Sequence, residues 1–353
     1  MRWLSRTISV LRDGGVIAFP TDTVYGIGCD ATCKEALERI YRIKHRKENK
    51  PLVMFIPSRD HLEMITPGAA QLISELSQYF WPGPLTLVVK AKEGTPIAAE
   101  DGTLGVRVPN EKHILAVLHH YPNPLATTSC NLEGLPTLSN AREIKAVFGD
   151  AIDYIMGGNP PEPQIPSTVL KIAPPTLLRK GKVSIFEIEK RVGRKVKLSP
   201  GMRVGILFVC SANLCRSQMA VGLARTMMSR NIFTGSAGVF ASQNFPPSLL
   251  AASVMDEIGI DIRGQSSRPI TLDIVYKYDL ILCMEETQRN WIVSNYPDIG
   301  DRVFLLGKFG KEKKGVEIQD PAGGEIEDYR RCRDEIKDEI RRVFKYLEIG
   351  YHD

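Results

Sequence analysis

The chain has 353 residues, 43% hydrophobic and 25% charged, which are ordinary globular values and enough length for about two domains. No apolar run approaches the roughly 18 residues that cross a bilayer, and the N-terminal MRWLSRTISVLRDGG lacks the apolar core and cleavage site of a signal peptide. Seven scattered cysteines without a C-x-x-C exclude a disulfide framework and a structural zinc site, and they fit a reduced, cytoplasmic compartment.

Charge is unevenly spread. Residues 1–200 carry 26 Lys and Arg against 20 Asp and Glu, so this half is expected to attract anions such as nucleotides or RNA; residues 201–353 carry 20 against 21. In chain order, the first half gives strand-like runs at 16–19, 85–90, 125–129, 168–172 and 176–179, with helices near 34–44, 68–80, 111–120 and 140–148. The proline-rich 157–168 reads as a loop beside a site. Residues 190–200, KRVGRKVKLSP, are basic and contain Gly and Pro, which places a linker at 193–202 between domains at 1–192 and 203–353. The second half alternates strands (204–209, 233–238, 279–283, 303–306) with helices (near 215–230, 247–258, 286–295, 325–347), the pattern of an α/β domain with a parallel sheet flanked by helices. The last helix carries Ile326, Tyr329, Ile336, Ile340, Val343, Phe344 and Leu347 at helical spacing.

The strongest chemical motif is Val209-Cys210-Ser-Ala-Asn213-Leu-Cys215-Arg216-Ser217, which ends an apolar strand and opens a helix. Anion sites of α/β sheets lie at such strand ends. Loop N–H groups and a helix N-terminus would surround a dianionic phosphoryl group, and Arg216 would hold two of its oxygens in a fork. The same positive field favours Cys210 as a thiolate nucleophile, which Ser217 can stabilise. Asp320, in the loop before the last helix, is placed to protonate a leaving group. Five of the six histidines precede residue 121 and the sixth is His352, so this half is expected to work without histidine.

Residues from about 203 to 350 resemble the low-molecular-weight protein phosphatase family, through FVCSANLCRS, SAGVFAS (236–242), YDLILCM (278–284) and DPAGGEIEDYRRCRDEI (320–336). The resemblance implies a Rossmann-like fold, Cys210 as nucleophile, Arg216 as phosphate binder, Asn213, Cys215 and Ser217 as loop support, Asp320 as general acid, and no cofactor. A tyrosine branch and an arginine branch of the family share this loop. Leu214 resembles the tyrosine branch, because the arginine branch tends to carry Thr there. SAGVFAS, Ala322 and the glycines after it resemble the arginine branch. Leu214 acts beside the phosphoryl group, so protein phosphotyrosine is the expected substrate and phosphoarginine the alternative.

In the first half, Lys44, Arg46 and Lys50 crowd together after a helix, a density that marks either a solvated face or a polyphosphate site. Hydroxyls cluster at strand ends, with Thr127, Thr128 and Ser129 at one and Ser167 and Thr168 at another, which suits a small polar ligand. There is no G-x4-GK[ST] loop, so ATP would not be held in the P-loop manner. Composition alone leaves a nucleotide site and plain surface loops on equal terms, and the positive charge alone would also fit a nucleic-acid-binding module, though without interleaved aromatics.

Residues 5 to about 190 resemble the threonylcarbamoyl-AMP synthase (YrdC-like) family, through FPTDTVYGIGCDA, Lys44-x-Arg46 with KPL (50–52), WPGPLTLVV (81–89), GVRVPN (105–110), Ser129-x-Asn131, PSTV (166–169) and LLRKG (177–181). The resemblance implies a twisted mixed sheet with helices. It also implies the joining of L-threonine, bicarbonate and ATP into threonylcarbamoyl-AMP, with release of pyrophosphate and with Mg²⁺ accompanying ATP. The product would serve threonylcarbamoyl modification of tRNA adenosine, with tRNA-modifying transferases as partners. By the same resemblance Lys44, Arg46 and Lys50 meet phosphates, Thr103, Ser129, Asn131, Thr137 and Arg179 surround the nucleotide, and Thr23, Arg107, Thr127 and Ser167 surround threonine. Two departures stand out. Ala126-Thr-Thr-Ser-Cys-Asn131 replaces the family's A-T-S-A-N, which leaves both Thr127 and Thr128 open for one role, and a proline-rich loop at 159–166 replaces a glycine-rich one.

Overall fold

A computed structural model describes residues 2–45, 50–68, 71–310 and 317–348. The chain is α/β and divides into two compact units, Met1–Val183 with Ile188–Arg194, and Ser184–Glu187 with Lys195–Asp353. Among the described residues, no helix is long and apolar enough to cross a membrane.

The first unit is built on a mixed sheet. Its strands are β1 (Ile17–Phe19), β2 (Gly26–Asp30), β3 (Val53–Phe55), β4 (Leu85–Lys90), β5 (Thr103–Arg107), β6 (Leu125–Ser129), β7 (Tyr154–Ile155), β8 (Thr168–Lys171) and β9 (Thr176–Arg179). They run in the order β9-β8-β4-β5-β3-β6-β2-β1-β7. The β3–β5, β4–β8 and β1–β7 pairs are parallel and the others antiparallel. Along β6, Leu125, Thr127 and Ser129 share one face, because successive strand residues alternate sides. The apolar end of that face is covered. Leu4 and Leu11 of the helix Arg2–Arg12, and Ile114, Val117 and Leu118 of the helix Lys112–His120, pack with Phe19, Phe55 and Leu125 into one core cluster.

Strand β2 is a surprise from its composition, since glycine is a poor strand former. Close approach explains it: a Cβ on Gly26 would sit 2.9 Å from the Phe19 ring, and one on Gly28 3.0 Å from Ala126 O. The glycines let Phe19 and β6 close down on β2, so packing overrides propensity.

The second unit has four strands in the order Ile232–Gly238, Val204–Cys210, Leu280–Cys283, Val303–Leu305, every pairing parallel. Val204–Cys210 is buried along its whole length and leads through a short loop into the helix Arg216–Met227. The last helix, Ile326–Glu348, buries Tyr329, Cys332, Ile336, Ile340, Val343, Phe344 and Leu347, which is the expected stripe joined by Cys332, with Ile326 half-buried at its start.

Candidate active sites

In the first unit a cavity of about 480 Å³ lies on the sheet face just described. Its lining follows the period of two along three strands, with Val53 and Phe55 from β3, Thr86 and Val88 from β4 and Thr103, Gly105 and Arg107 from β5, while β6 adds Thr127, Thr128 and Ser129 at its end. The strands that are apolar under the helices become hydroxyl-rich here.

Arg107 is buried and held on three sides. Its Nε donates to Gly83 O (2.9 Å), one terminal nitrogen to Thr23 Oγ1 (3.0 Å), and the other to Asp22 Oδ1 (2.6 Å). Thr21 Oγ1 donates to Val24 O (2.7 Å), so in the 2.9 Å contact between Thr21 and Thr23 it is the Thr23 hydroxyl that donates. On the opposite wall Arg179 donates to Ser167 O (3.0 and 3.1 Å) and Ser167 Oγ (3.0 Å), and Thr86 Oγ1 lies 2.9 Å from the same Oγ. The Thr103 hydroxyl donates to Asp101 (2.6 Å), and that of Thr127 to Val53 O (2.8 Å). The Tyr25 hydroxyl meets Met156 O (2.9 Å) and Gly158 O (2.6 Å), tying down the start of the proline-rich loop. Burial pushes the Tyr25 phenol up to about 12 and the Cys130 thiol likewise to about 12, so both stay protonated near neutrality.

In the second unit Cys210 ends its strand nearly buried, with Sγ 3.0 Å from Ser217 Oγ. Asn213, at φ +57°, turns the loop back. Its side chain donates to Ser217 Oγ (2.7 Å) and accepts from Arg268 N (2.9 Å), while Gln218 donates to its carbonyl (3.0 Å). Gly238 pairs with Cys210, and a Cβ there would lie 2.6 Å from Ser211 O and 2.9 Å from Asn213 N, so only glycine fits. Among the described residues, no backbone N–H of Ala212–Cys215 has a protein acceptor, which leaves a row of donors beside the sulfur. Arg216, 1% exposed, donates to Ile318 O (2.9 Å), pairs with Glu285 (3.0 Å) and is hydrogen-bonded to Asp320. Burial pushes the thiols of Cys215, Cys283 and Cys332 up.

Two family patterns match the chain: Sua5/YciO/YrdC, described as "Telomere recombination", over residues 9–181, and "Low molecular weight phosphotyrosine protein phosphatase" over residues 205–350. A threonylcarbamoyl-AMP synthase of Pyrococcus abyssi is 34% identical over 54% of this chain, and the chain spans only 57% of that protein's length. One from Klebsiella pneumoniae is 32% identical over 50% of this chain and 95% of its own. A solved arginine phosphatase of Geobacillus stearothermophilus is 33% identical, covering 42% of this chain and 98% of its own, with TM-score 0.41.

The chain belongs to the Sua5/YciO/YrdC family in its first unit and to the low-molecular-weight phosphatase family in its second.

Thr23, Thr103, Arg107, Thr127, Ser129, Thr137, Ser167 and Arg179 all line the cavity of the Sua5/YrdC unit. Thr127 shares the face of Ser129, and Thr128 lines the cavity as well. Lys44, Lys50 and Asn131 do not line it, and Arg46 lies outside the described residues. Lys50 pairs with Glu133. Thr21 and Thr86 line the cavity without having been singled out in the sequence; the Thr-x-Thr of FPTDT and the alternation of LTLVV were their only signals. In the phosphatase unit Cys210, Asn213 and Ser217 are joined by hydrogen bonds, and Arg216, next to Ser217 at the helix start, is joined to Asp320. Cys215 stands apart, its Sγ 3.1 Å from Ser248 Oγ and 3.8 Å from Tyr329 OH. Glu285, the second carboxylate on Arg216, was missed; its place just after a parallel strand was the available signal.

Proposed function

We propose that the chain is bifunctional, with separately folding enzymes at 1–192 and 203–353 joined by 193–202. The first makes threonylcarbamoyl-AMP and pyrophosphate from L-threonine, bicarbonate and ATP. The cavity that combines two arginines with a ring of hydroxyls on one sheet face supports this reading most directly. Threonine amine and bicarbonate condense to a carbamate with loss of water, the carbamate oxygen attacks the α-phosphorus, and pyrophosphate leaves. The protein's share is positioning and charge neutralisation. Arg107, preset by Asp22, Gly83 and Thr23, offers its remaining N–H groups to the threonine carboxylate, and Arg179 with Ser167 holds the other wall. Mg²⁺ arrives on the triphosphate as part of the substrate. The product serves threonylcarbamoylation of tRNA adenosine through transferase partners, in the cytoplasm where those substrates are. Pyrophosphate release is expected only when ATP, threonine and bicarbonate are all present. Arg46→Ala is expected to lower the rate at least about tenfold, through loss of a charge-assisted phosphate contact. Threonine-independent ATP turnover would refute the reading.

The second enzyme is a cysteine-dependent protein phosphatase. The free N–H row of Ala212–Cys215 beside Cys210, closed by Arg216, supports it. Cys210 Sγ attacks phosphorus, the alcohol oxygen leaves with the proton of Asp320, and water then cleaves the cysteinyl-phosphate. We take phosphotyrosine as the substrate, because Leu214 has no hydroxyl to offer a phosphoguanidinium, and Phe240, 72% exposed with its N–H on Ser211 O (2.9 Å), supplies the aromatic face that Ala322 lacks. The phosphoarginine reading draws on the likeness to the Geobacillus enzyme. Peptides carrying each group, assayed side by side, are expected to favour phosphotyrosine in kcat/KM, and a tenfold preference for phosphoarginine would reverse the choice.

A further inference from the structure

A lysine that meets a triphosphate has to present its donors to it. Lys44 directs its donors inward. It caps the helix Lys34–Ile43, its residue is 1% exposed, and it ranks among the largest fully buried side chains of the chain. Its ammonium is hydrogen-bonded to Ser129 O, to Asn131 O (2.5 Å) and to Asn131 Oδ1 (2.9 Å). Those are three oxygens of one turn, as many as an ammonium has N–H groups. Ser129 Oγ donates to the same Asn131 Oδ1 (2.7 Å), and the Asn131 amide nitrogen donates to Leu135 O (2.7 Å). A cation and a hydroxyl aimed at one end of the amide, with a carbonyl at the other, leave Asn131 a single orientation. Neither Lys44 nor Asn131 lines the cavity, whereas Ser129 and Thr137, at the two ends of the segment they brace, both do. Burying an ammonium is costly unless its hydrogen bonds are made, and here they are made to the turn.

We propose that Lys44 is a positioning residue that fixes the 129–137 segment at the nucleotide wall, and that it is not a phosphate ligand. The assignment rests on the synthase reading of the cavity. Removing a phosphate ligand would weaken ATP far more than AMP, whereas loosening the segment weakens both alike.

The test measures equilibrium binding of ATP, AMP and L-threonine to the full chain, for wild type, Lys44→Met, Asn131→Ala and the double variant. Lys44→Met is expected to lose at least about tenfold in affinity for ATP and for AMP, with the ATP-to-AMP ratio and the threonine affinity each held within about threefold. The double variant is expected to be no worse than the weaker single one, because the two residues act through one contact. An ATP-to-AMP ratio that collapses tenfold, additive losses, or a parallel loss of threonine binding would overturn the positioning role alone. Wild-type protein that binds neither nucleotide would overturn the synthase reading and this role with it. If Lys44→Met does not fold, the wild type decides by acylation with an amine-reactive ester and mass spectrometry. Lys44 is expected to stay unmodified with or without ATP, and modification that ATP prevents would make it a ligand.

Discussion

Cys210→Ser protein is expected to fold normally and to show no phosphatase turnover. Serine leaves a hydroxyl facing Ser217, where the sulfur lies 3.0 Å from Oγ, but supplies no thiolate, and at neutral pH an alcohol is a far weaker nucleophile. Asp320→Ala is expected to cost roughly 10²–10⁴ in kcat on a phosphate ester with a poor leaving group, the usual worth of general acid catalysis. The same variant should lose little on an ester whose alcohol leaves readily as an anion, because no proton is then needed. The geometry sharpens this. In the structure Asp320 is hydrogen-bonded to Arg216, and when a phosphoryl group takes those N–H groups the carboxyl is released toward the leaving oxygen. Arg216 keeps Ile318 O and Glu285 in the variant, so the phosphate site survives loss of Asp320. A plot of log kcat against leaving-group pKa should therefore be nearly flat in wild type and steep in Asp320→Ala. Equal losses on good and poor leaving groups would assign Asp320 to holding Arg216 and not to proton transfer.

The phosphatase loop was legible because its chemistry is contiguous: strand, nucleophile, turn, arginine and helix follow one another within residues 204–227. Asp320 lies far off in sequence, yet it sits at a loop between a strand and a helix, where α/β folds collect their sites. What braces the loop was not legible. Arg268 N on Asn213 and Glu285 on Arg216 are pairings across long stretches of chain that no spacing rule announces.

In the first unit the strands β2, β3 and β5 escaped notice for physical reasons. Gly-Ile-Gly-Cys-Asp has poor strand propensity, Val53–Phe55 is three residues long, and Thr-Leu-Gly-Val-Arg places an arginine on a buried face. Each is a strand because neighbours on both sides complete its hydrogen bonds and cover its faces. Lys44 shows a further boundary. Its position near Arg46 marks it as important, but spacing cannot tell a lysine that faces a ligand from one that turns back onto the loop carrying the ligand's contacts.

Arg107→Met is expected to damage both the stability of the first unit and its hold on threonine, and the two losses can be separated. The guanidinium is the charged partner of Asp22, with side chains 4% and 14% exposed. Without it, Asp22 Oδ1 keeps only Asn110 N (2.9 Å), while Oδ2 is already buried with no hydrogen-bond partner among the described residues. A carboxylate left in that state costs roughly 3–5 kcal/mol, which for a unit of this size lowers its melting transition by roughly 6–20 °C. Asp22→Asn added to Arg107→Met removes the orphaned charge, so the double variant should recover a large part of the stability. Threonine affinity should not recover, because Asp22 only presents the arginine, and a lost charge-assisted contact to the threonine carboxylate is worth about tenfold or more in affinity. Calorimetric titration with L-threonine and thermal melts of the single and double variants give both readings. Recovery of threonine binding in the double variant would show that Arg107 braces the wall around Thr23 and does not itself bind the amino acid.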